Sequence, residues 1–381
     1  MTRRVYVVAG EMSGDIHGVE LMRALRGLWS EVEFRGWGGS AMAAEAGEGK
    51  VRDWTDEAVV VGVWEVLKNY GYFREKFWQT VAEIEEWQPE VLLLIDYPGF
   101  NLRLAKELKK RKLAVKVVHY VAPQVWAWNK GRVPKVAASH DLLLCLFPFE
   151  REIFEEAGLR TVCVGHPLVD ELEEKRISVD REDGLVALLP GSRRREVARL
   201  FPLMVESALR LRYQVPGVRF EAAAATPALA EMMREMRAEA GLREEELRIT
   251  QGGSHALMQR ASCGVVASGT ATLEAGYYGL PYCLVYAVAW GTYLIARQVV
   301  EIERIGLINI LAQREVVKEL VQGEANAYEL TLQLRGLLES PQERARLSRE
   351  LIEVGQLLGG PGVHERGAEA IVELCGGGSD L

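Results

Sequence analysis

The sequence predicts an α/β protein made of two doubly wound, Rossmann-like halves with a cleft between them. Three observations carry that expectation. Short apolar runs such as Val91 to Ile95 are continuous rather than alternating, as in parallel strands buried on both faces. Each run is followed by a stretch whose apolar residues recur at helical spacing, and strand–helix alternation is the pattern of a parallel sheet. The alternation stops in a charged stretch and then restarts, and 381 residues at about 150 per domain make two domains.

The elements follow in order. Val5 to Ala9 reads as a strand, Gly10 to Gly14 as a tight loop, and Ile16 to Leu28 as a helix, with Leu21, Ala24, Leu25 and Leu28 on one face. Further strands are expected at Val91 to Ile95, Val115 to Val121 and Leu142 to Phe147. The N-terminal domain is placed at 1–170. A linker follows at 171–184, because Glu171 to Arg176 and Asp180 to Gly184 are charged and poor in bulky apolar residues. The second domain, 185–340, restarts with strands at Leu185 to Leu189, Val218 to Ala224, Leu247 to Thr250, Gly264 to Ala267 and Tyr282 to Tyr286. Residues 341–381 read as C-terminal helices broken at Gly359-Gly360-Pro361-Gly362, with the option of packing back on the N-terminal domain.

Composition excludes several classes. Apolar residues are 49% and charged residues 26%, as in an ordinary globular chain, and a net charge of −8 offers no bulk attraction to nucleic acid. The five scattered cysteines form no C-x-x-C pair, which argues against a zinc site or a disulfide framework and for a reducing, cytoplasmic location. Ala275 to Ala296 is uncharged over 22 residues, but its glycines, Pro281 and five tyrosines favour a helix–turn–strand reading over a membrane span.

In open parallel sheets, ligands bind where strands end. Gly10 to Asp15 follows the first strand, with Glu11, Ser13, Gly14 and Asp15 as candidates and a tight turn capped by Asp15 as the plain alternative. Gly36-Trp37-Gly38-Gly39-Ser40-Ala41 matches a dinucleotide fingerprint formally, but it follows a second strand and precedes only a short helix. Asp96 directly follows an apolar strand, where a carboxylate with a raised pKa can act as general base; a structural acceptor is the alternative. His119 to Trp128 offers a titratable group and an aromatic wall containing Trp126. In the second half, Ser192 and Arg193 follow one strand, and Ser268, Gly269 and Thr270 open a helix after another. Glu274 lies one turn further on the same face, suited to ribose hydroxyls. Together these make a cradle for a nucleotide diphosphate. There is no P-loop, no D-x-D and no H-E-x-x-H, so the charge of a diphosphate falls to a helix dipole and Arg193 rather than to a metal.

Six motifs occur in one order: Gly10 to Asp15, Ile95 to Asn101, His119 to Trp128, Gly165-His166-Pro167-Leu168-Val169-Asp170, Leu188 to Arg193 and Ser268 to Glu274. This series resembles the lipid-A-disaccharide synthases from about residue 4 to residue 322. The resemblance implies an inverting GT-B glycosyltransferase without metal or other cofactor. Its substrates would be UDP-2,3-diacylglucosamine and 2,3-diacylglucosamine 1-phosphate, and its products a β-1′,6-linked disaccharide and UDP. It implies Asp96 as general base, with Ser192, Arg193, Ser268, Gly269, Thr270, Glu274 and Asn309 on the nucleotide side. Glu11, Ser13, Gly14, Asp15, His119, Trp126 and His166 fall on the acceptor side. Leu307-Ile308-Asn309, Ala287 and Lys318-Glu319-Leu320 depart from the family's usual wording.

Lipid substrates direct attention to the eight aromatic residues between Trp54 and Trp87. Trp64, Tyr72, Phe73 and Trp78, interleaved with Lys68, Arg74 and Lys76, suit peripheral binding to an anionic membrane, at the inner face of the inner membrane. Core packing of Phe77, Val81 and Ile84 is expected beside it. The alternatives are another GT-B enzyme, either a UDP-sugar epimerase or the transferase that adds N-acetylglucosamine to a lipid-linked muropeptide, and a non-catalytic nucleotide-sugar sensor. The oligomeric state is left open, a homodimer among the options.

Overall fold

A computed structural model describes residues 2–55, 70–125, 129–288 and 304–376. The chain divides into two compact units, residues 1–167 with 360–381 and residues 168–359.

The first unit holds a seven-stranded parallel sheet. Its strands are β1 (Arg3–Ala9), β2 (Val32–Gly38), β3 (Val51–Asp53), β4 (Val91–Ile95), β5 (Lys116–Tyr120), β6 (Leu142–Cys145) and β7 (Thr161–Cys163), in the order β3-β2-β1-β4-β5-β6-β7. Its helices are α1 (Met12–Leu28), α2 (Ser40–Ala46), α3 (Tyr70–Trp87), α4 (Pro98–Arg111), α5 (Val133–Ala137), α6 (Pro148–Glu156) and, from the end of the chain, α15 (Val363–Leu374). Strand alternation sorts the core. Val5, Val7, Leu93 and Val118 face α1 and α15, while Tyr6, Val8, Leu92, Leu94 and Val117 face α3 and α4. Both faces are covered, which is why these strands read as continuous apolar runs.

The second unit repeats the plan with six parallel strands, in the order β10-β9-β8-β11-β12-β13. These are β8 (Glu182–Leu189), β9 (Arg219–Ala224), β10 (Leu247–Gln251), β11 (Ala261–Ala267), β12 (Tyr282–Tyr286) and β13 (Glu319–Val321). Its helices are α7 (Leu168–Glu174), α8 (Arg194–Gln214), α9 (Pro227–Glu239), α10 (Ser254–Arg260), α11 (Ala271–Tyr277), α12 (Leu307–Leu311), α13 (Ala327–Glu339) and α14 (Pro341–Gln356).

The stretch expected as a linker is largely built into the second unit. Glu171 to Glu174 belong to α7, and Glu182 to Gly184 open β8. Arg181 donates to the carbonyls of Met258 (2.9 Å), Ala261 (2.7 Å) and Tyr278 (2.7 Å), so a charged residue that reads as linker anchors the sheet. The C-terminal helices part company: α14 stays with the second unit, and Gly367 of α15 lies where an added Cβ would be 3.3 Å from Leu21 and 3.5 Å from Leu144. That close approach seats the last helix on α1. The uncharged segment from Ala275 contains the end of α11 and all of β12, and no helix among the described residues is long and apolar enough to cross a membrane.

Each sheet has one topological switch point, where the chain reverses its direction of strand addition. In the first unit it lies between β1 and β4, with Ala9 paired to Ile95. In the second it lies between β8 and β11, with Leu189 paired to Val266. The loops leaving these four strands carry four of the six motifs.

Candidate active site and nucleotide cradle

At the first switch point β4 runs directly into Asp96 and Tyr97, both in the left-handed region (φ +47° and +49°). Two successive non-glycine residues there store on the order of 1–3 kcal/mol each. Asn101, wholly buried, holds the turn: its Nδ2 donates to the Asp96 carbonyl at 2.7 Å, and the Asp96 N–H donates to the Tyr120 carbonyl at 2.9 Å. Tyr97 swings its ring beneath the opposite loop, where a Cβ on Gly10 would meet ring carbons at 2.5 Å. Glycine is required there by contact rather than by φ.

The strained turn presents a half-buried carboxylate. Burial raises the Asp96 pKa above the ordinary value, and the nearby Glu11 raises it further, outweighing a hydrogen bond from the Tyr97 backbone. Glu11 and Ser13, both exposed, and buried Gly14 begin α1 beside it. Burial and Glu11 also push the Tyr97 phenol up to about 12. This is the setting of a general base.

Two acceptor-side expectations, Asp15 and His119, meet a different geometry. Asp15 is buried, and its carboxylate accepts the backbone N–H groups of Gly39 (2.8 Å), Met42 (3.0 Å) and Ala41 (3.0 Å), so it caps α2 rather than facing a ligand. The same bonds occupy the helix start that a pyrophosphate would need at the apparent dinucleotide fingerprint, whose Gly36 and Gly38 lie inside β2. His119 is wholly buried, with Nδ1 3.2 Å from Nε2 of His140, and burial holds it neutral, so it is a core histidine. His166 is half-buried against the Phe147 ring, with centroids 5.7 Å apart. Trp126 and Trp64 lie outside the described residues.

At the second switch point, Pro190 and Gly191 turn the chain so that α8 begins with Arg193 as its N-cap. Ser192 and Arg193 are exposed, and the Arg193 side chain, 82% accessible, pairs among the described residues with Glu196 one turn along at 2.9 Å. Arg194 and Arg195 follow, also exposed. A 21-residue helix that opens with three exposed cations has the positive dipole end and the charge with which an anion can be held. Next to it, the exposed Gly269 and Thr270 and half-buried Ser268 lead into α11. Glu274 is half-buried; burial first and Glu171 second raise its pKa to about 6, against a lowering by Lys175.

Asn309, expected on the nucleotide side, is wholly buried, and all its hydrogen bonds stay inside the protein. Its Nδ2 donates to Val317 O (2.8 Å) and Glu319 Oε1 (2.9 Å), and its Oδ1 accepts from the N–H groups of Val316 and Val317. Direct contact with a donor is therefore not what this geometry offers. The residue that sequence reasoning missed is Glu319, which also accepts the N–H groups of Ile305 and Gly306, both at 2.9 Å. This clasp sets the segment whose Ile305 carbonyl accepts from the Ser268 hydroxyl at 3.5 Å. The only signal in the sequence was the departure Lys318-Glu319-Leu320 itself.

Comparison with known proteins decides which family this site serves. The family model described as Lipid-A-disaccharide synthetase matches residues 5–359. The chain belongs to the lipid-A-disaccharide synthetase family. A lipid-A-disaccharide synthase of Geobacter metallireducens is 36% identical over 382 residues, covering 98% of each chain. As a family member the chain is a glycosyltransferase of lipid A biosynthesis. Its fold is shared with solved GT-B structures. A putative UDP-N-acetylglucosamine 2-epimerase from Listeria monocytogenes aligns over 100% of this chain and 98% of its own with TM-score 0.62 at 12% identity. Acinetobacter baumannii MurG aligns over 98% and 100% with TM-score 0.60, also at 12% identity. Such identities bear on fold alone. The epimerase and muropeptide-transferase readings are not favoured, because the lipid A enzymes match in sequence over nearly the whole chain.

Proposed function

We propose that this family member transfers 2,3-diacylglucosamine from its UDP conjugate to the 6-hydroxyl of 2,3-diacylglucosamine 1-phosphate, with Asp96 as general base. The observation that carries the reading is the Asp96 carboxylate: placed at the switch point by a strained turn, half-buried, and with a raised proton affinity. Asp96 takes the hydroxyl proton as the acceptor oxygen bonds to the anomeric carbon, and the bond to UDP breaks with inversion. The departing diphosphate is received by Arg193 and the N–H groups at the start of α8, and the ribose hydroxyls by the Glu274 carboxylate. The test is to mix the purified chain with both lipids in excess chelator and follow UDP release and the new linkage by NMR. No UDP from the pair overturns the substrates, and turnover that needs added magnesium overturns the role of α8.

The lipids also support reversible binding to an anionic bilayer. Within α3, Phe73 and Phe77 pack on the core, and Lys76 sits 4.4 Å above the Trp37 ring, so those residues face inward. Trp78 is 44% exposed and lies beside Arg111, at 5.5 Å. From that point α4 and its end expose Arg103, Lys106, Lys109, Lys110, Arg111 and Lys112, with Glu107 as the one acid among them. This strip, more than the interleaved basic residues of α3, supplies the local positive charge that an acidic chain needs at a lipid surface. Replacing Trp78 by Ser and Lys109 and Lys110 by Glu should abolish sedimentation with anionic vesicles while UDP binding stays intact. Unchanged sedimentation refutes this surface.

A further inference from the structure

The first sheet brings two of the five cysteines side by side. Cys145 ends β6, Cys163 ends β7, and the two are Cα partners in the parallel ladder. Leu144 and Val162 face α1 and α15, so Cys145 and Cys163 share the opposite face, over which α6 packs. Neighbouring strands lie about 4.8 Å apart, within the Cα separation of about 4.4–6.8 Å that a disulfide spans. Both sulfurs also meet the same turn. The Cys145 Sγ donates to the Phe147 carbonyl at 3.6 Å, and the Cys163 Sγ reaches the Leu146 carbonyl at 3.9 Å. Cys145 is buried, whereas Cys163 is half-buried in the edge strand of the sheet.

We propose that Cys145 and Cys163 form a redox modification site, a cross-strand dithiol that a peroxide closes to a disulfide. The transfer proposed above uses neither residue, and the site does not depend on it. The two thiols divide the work by their surroundings. A hydrogen bond from Cys145 brings the Cys163 thiol down to about 7 against the effect of burial, with help from the Gly165 backbone and the Arg151 and Arg366 guanidiniums. The same bond, burial and Glu150 hold Cys145 protonated. Cys163 is thus the thiolate, and the thiolate is the nucleophile. It attacks one peroxide oxygen, the O–O bond breaks and hydroxide leaves, which gives a sulfenic acid. The Cys145 sulfur then attacks the Cys163 sulfur, the S–O bond breaks, and the oxygen departs as water with the Cys145 proton. Two thiols have lost two hydrogens, and the peroxide has become two waters. Weak S–H bonds to carbonyls do not hinder this, because they engage the thiol proton and leave the sulfur lone pairs free.

The other cysteines lack this arrangement. Cys263 and Cys283 lie in adjacent strands, but Cys283 is paired with Val265, and burial pushes both thiols up to about 12. Burial also raises the Cys375 thiol. Residues just beyond the pair belong to the candidate site: Phe147 and His166 have ring centroids 5.7 Å apart. A bond between the sulfurs ties together the two strand ends from which those rings extend.

The test treats the intact chain with hydrogen peroxide, alkylates the remaining thiols and maps the protein by mass spectrometry without reduction. Trypsin separates the two cysteines, because Arg151 and Arg160 lie between them. The peptides of Cys145 and Cys163 should appear linked, two hydrogens lighter than their sum, and dithiothreitol should separate them. Free thiols per chain should fall by two from five. In Cys145→Ser, the sulfenic acid on Cys163 has no partner and should be captured by dimedone. In Cys163→Ser, Cys145 should stay reduced at the same peroxide dose. Cys163 left free, carried on to a sulfinic acid in the parent, or linked to a second chain overturns the proposal. So does a Cys145 that oxidises equally well without Cys163. If a variant fails to fold, the map of the parent decides.

Discussion

The two units share one plan and place opposite chemistry at its equivalent point. Along the carboxyl edge of the first sheet lie half-buried titratable groups whose proton affinities are moved by burial: Asp96 at the switch point upward, His17 on α1 and His166 beyond β7 downward. At the switch point of the second, the residues are exposed cations and small hydroxylated or glycine positions, Arg193 and Ser268 to Thr270, around one shifted carboxylate, Glu274. A doubly wound sheet thus fixes where a ligand is met but not how. Burying a titratable group tunes it for proton transfer, whereas leaving cations at a helix start tunes the same location for binding charge.

If that division holds, variants in the two units fail in different ways. Asp96→Asn should lower kcat by roughly two to four orders of magnitude, the weight of a general base, and leave UDP affinity unchanged by calorimetry. Near-normal turnover would remove the proton chemistry from the first unit. Arg193→Ala should weaken UDP binding about tenfold to a hundredfold, as expected for losing a charge-assisted contact, with a smaller change in acceptor KM.

The pH dependences sharpen the contrast. Glu274 must be ionised to accept from ribose, and its pKa is about 6, so UDP affinity should be full near neutrality and fall as pH drops through 6. Each unit of pH below that value should cost about tenfold, by simple titration. Glu274→Gln should bind more weakly at pH 7 and show no such fall, as measured by calorimetry between pH 5 and 7.5. The smallest effect is expected from Glu11→Gln. Removing a negative charge that raises the Asp96 pKa should move the acid limb of the kcat profile to lower pH, with UDP binding unaltered. A limb that stays put would show that burial alone sets the base.

Much of the architecture was legible because its signals are local. Val91–Ile95 and Tyr282–Tyr286 are strands at the expected residues, since a continuous apolar run bounded by turn residues has one sheltered solution. Thr161–Cys163 and Glu319–Val321 escaped notice, because three residues at a sheet edge carry no period. The candidate site was legible in part for the same reason. Asp96, Arg193 and Glu274 each follow a recognisable strand or helix start, so their placement needs only neighbouring residues.

What the sequence determined by itself was therefore the strand–helix succession, the residues at strand ends and the family they spell. The roles of long-range partners were decided only by tertiary structure. Asp15 and Asn309 look like site residues in the chain, yet Asp15 caps a helix 25 residues on, and Asn309 is clasped by Glu319. His17 and His364 meet only because α15 returns to lie on α1. A side chain's donors and acceptors are claimed by whichever groups folding brings within about 3 Å, and that distance has no counterpart in sequence separation.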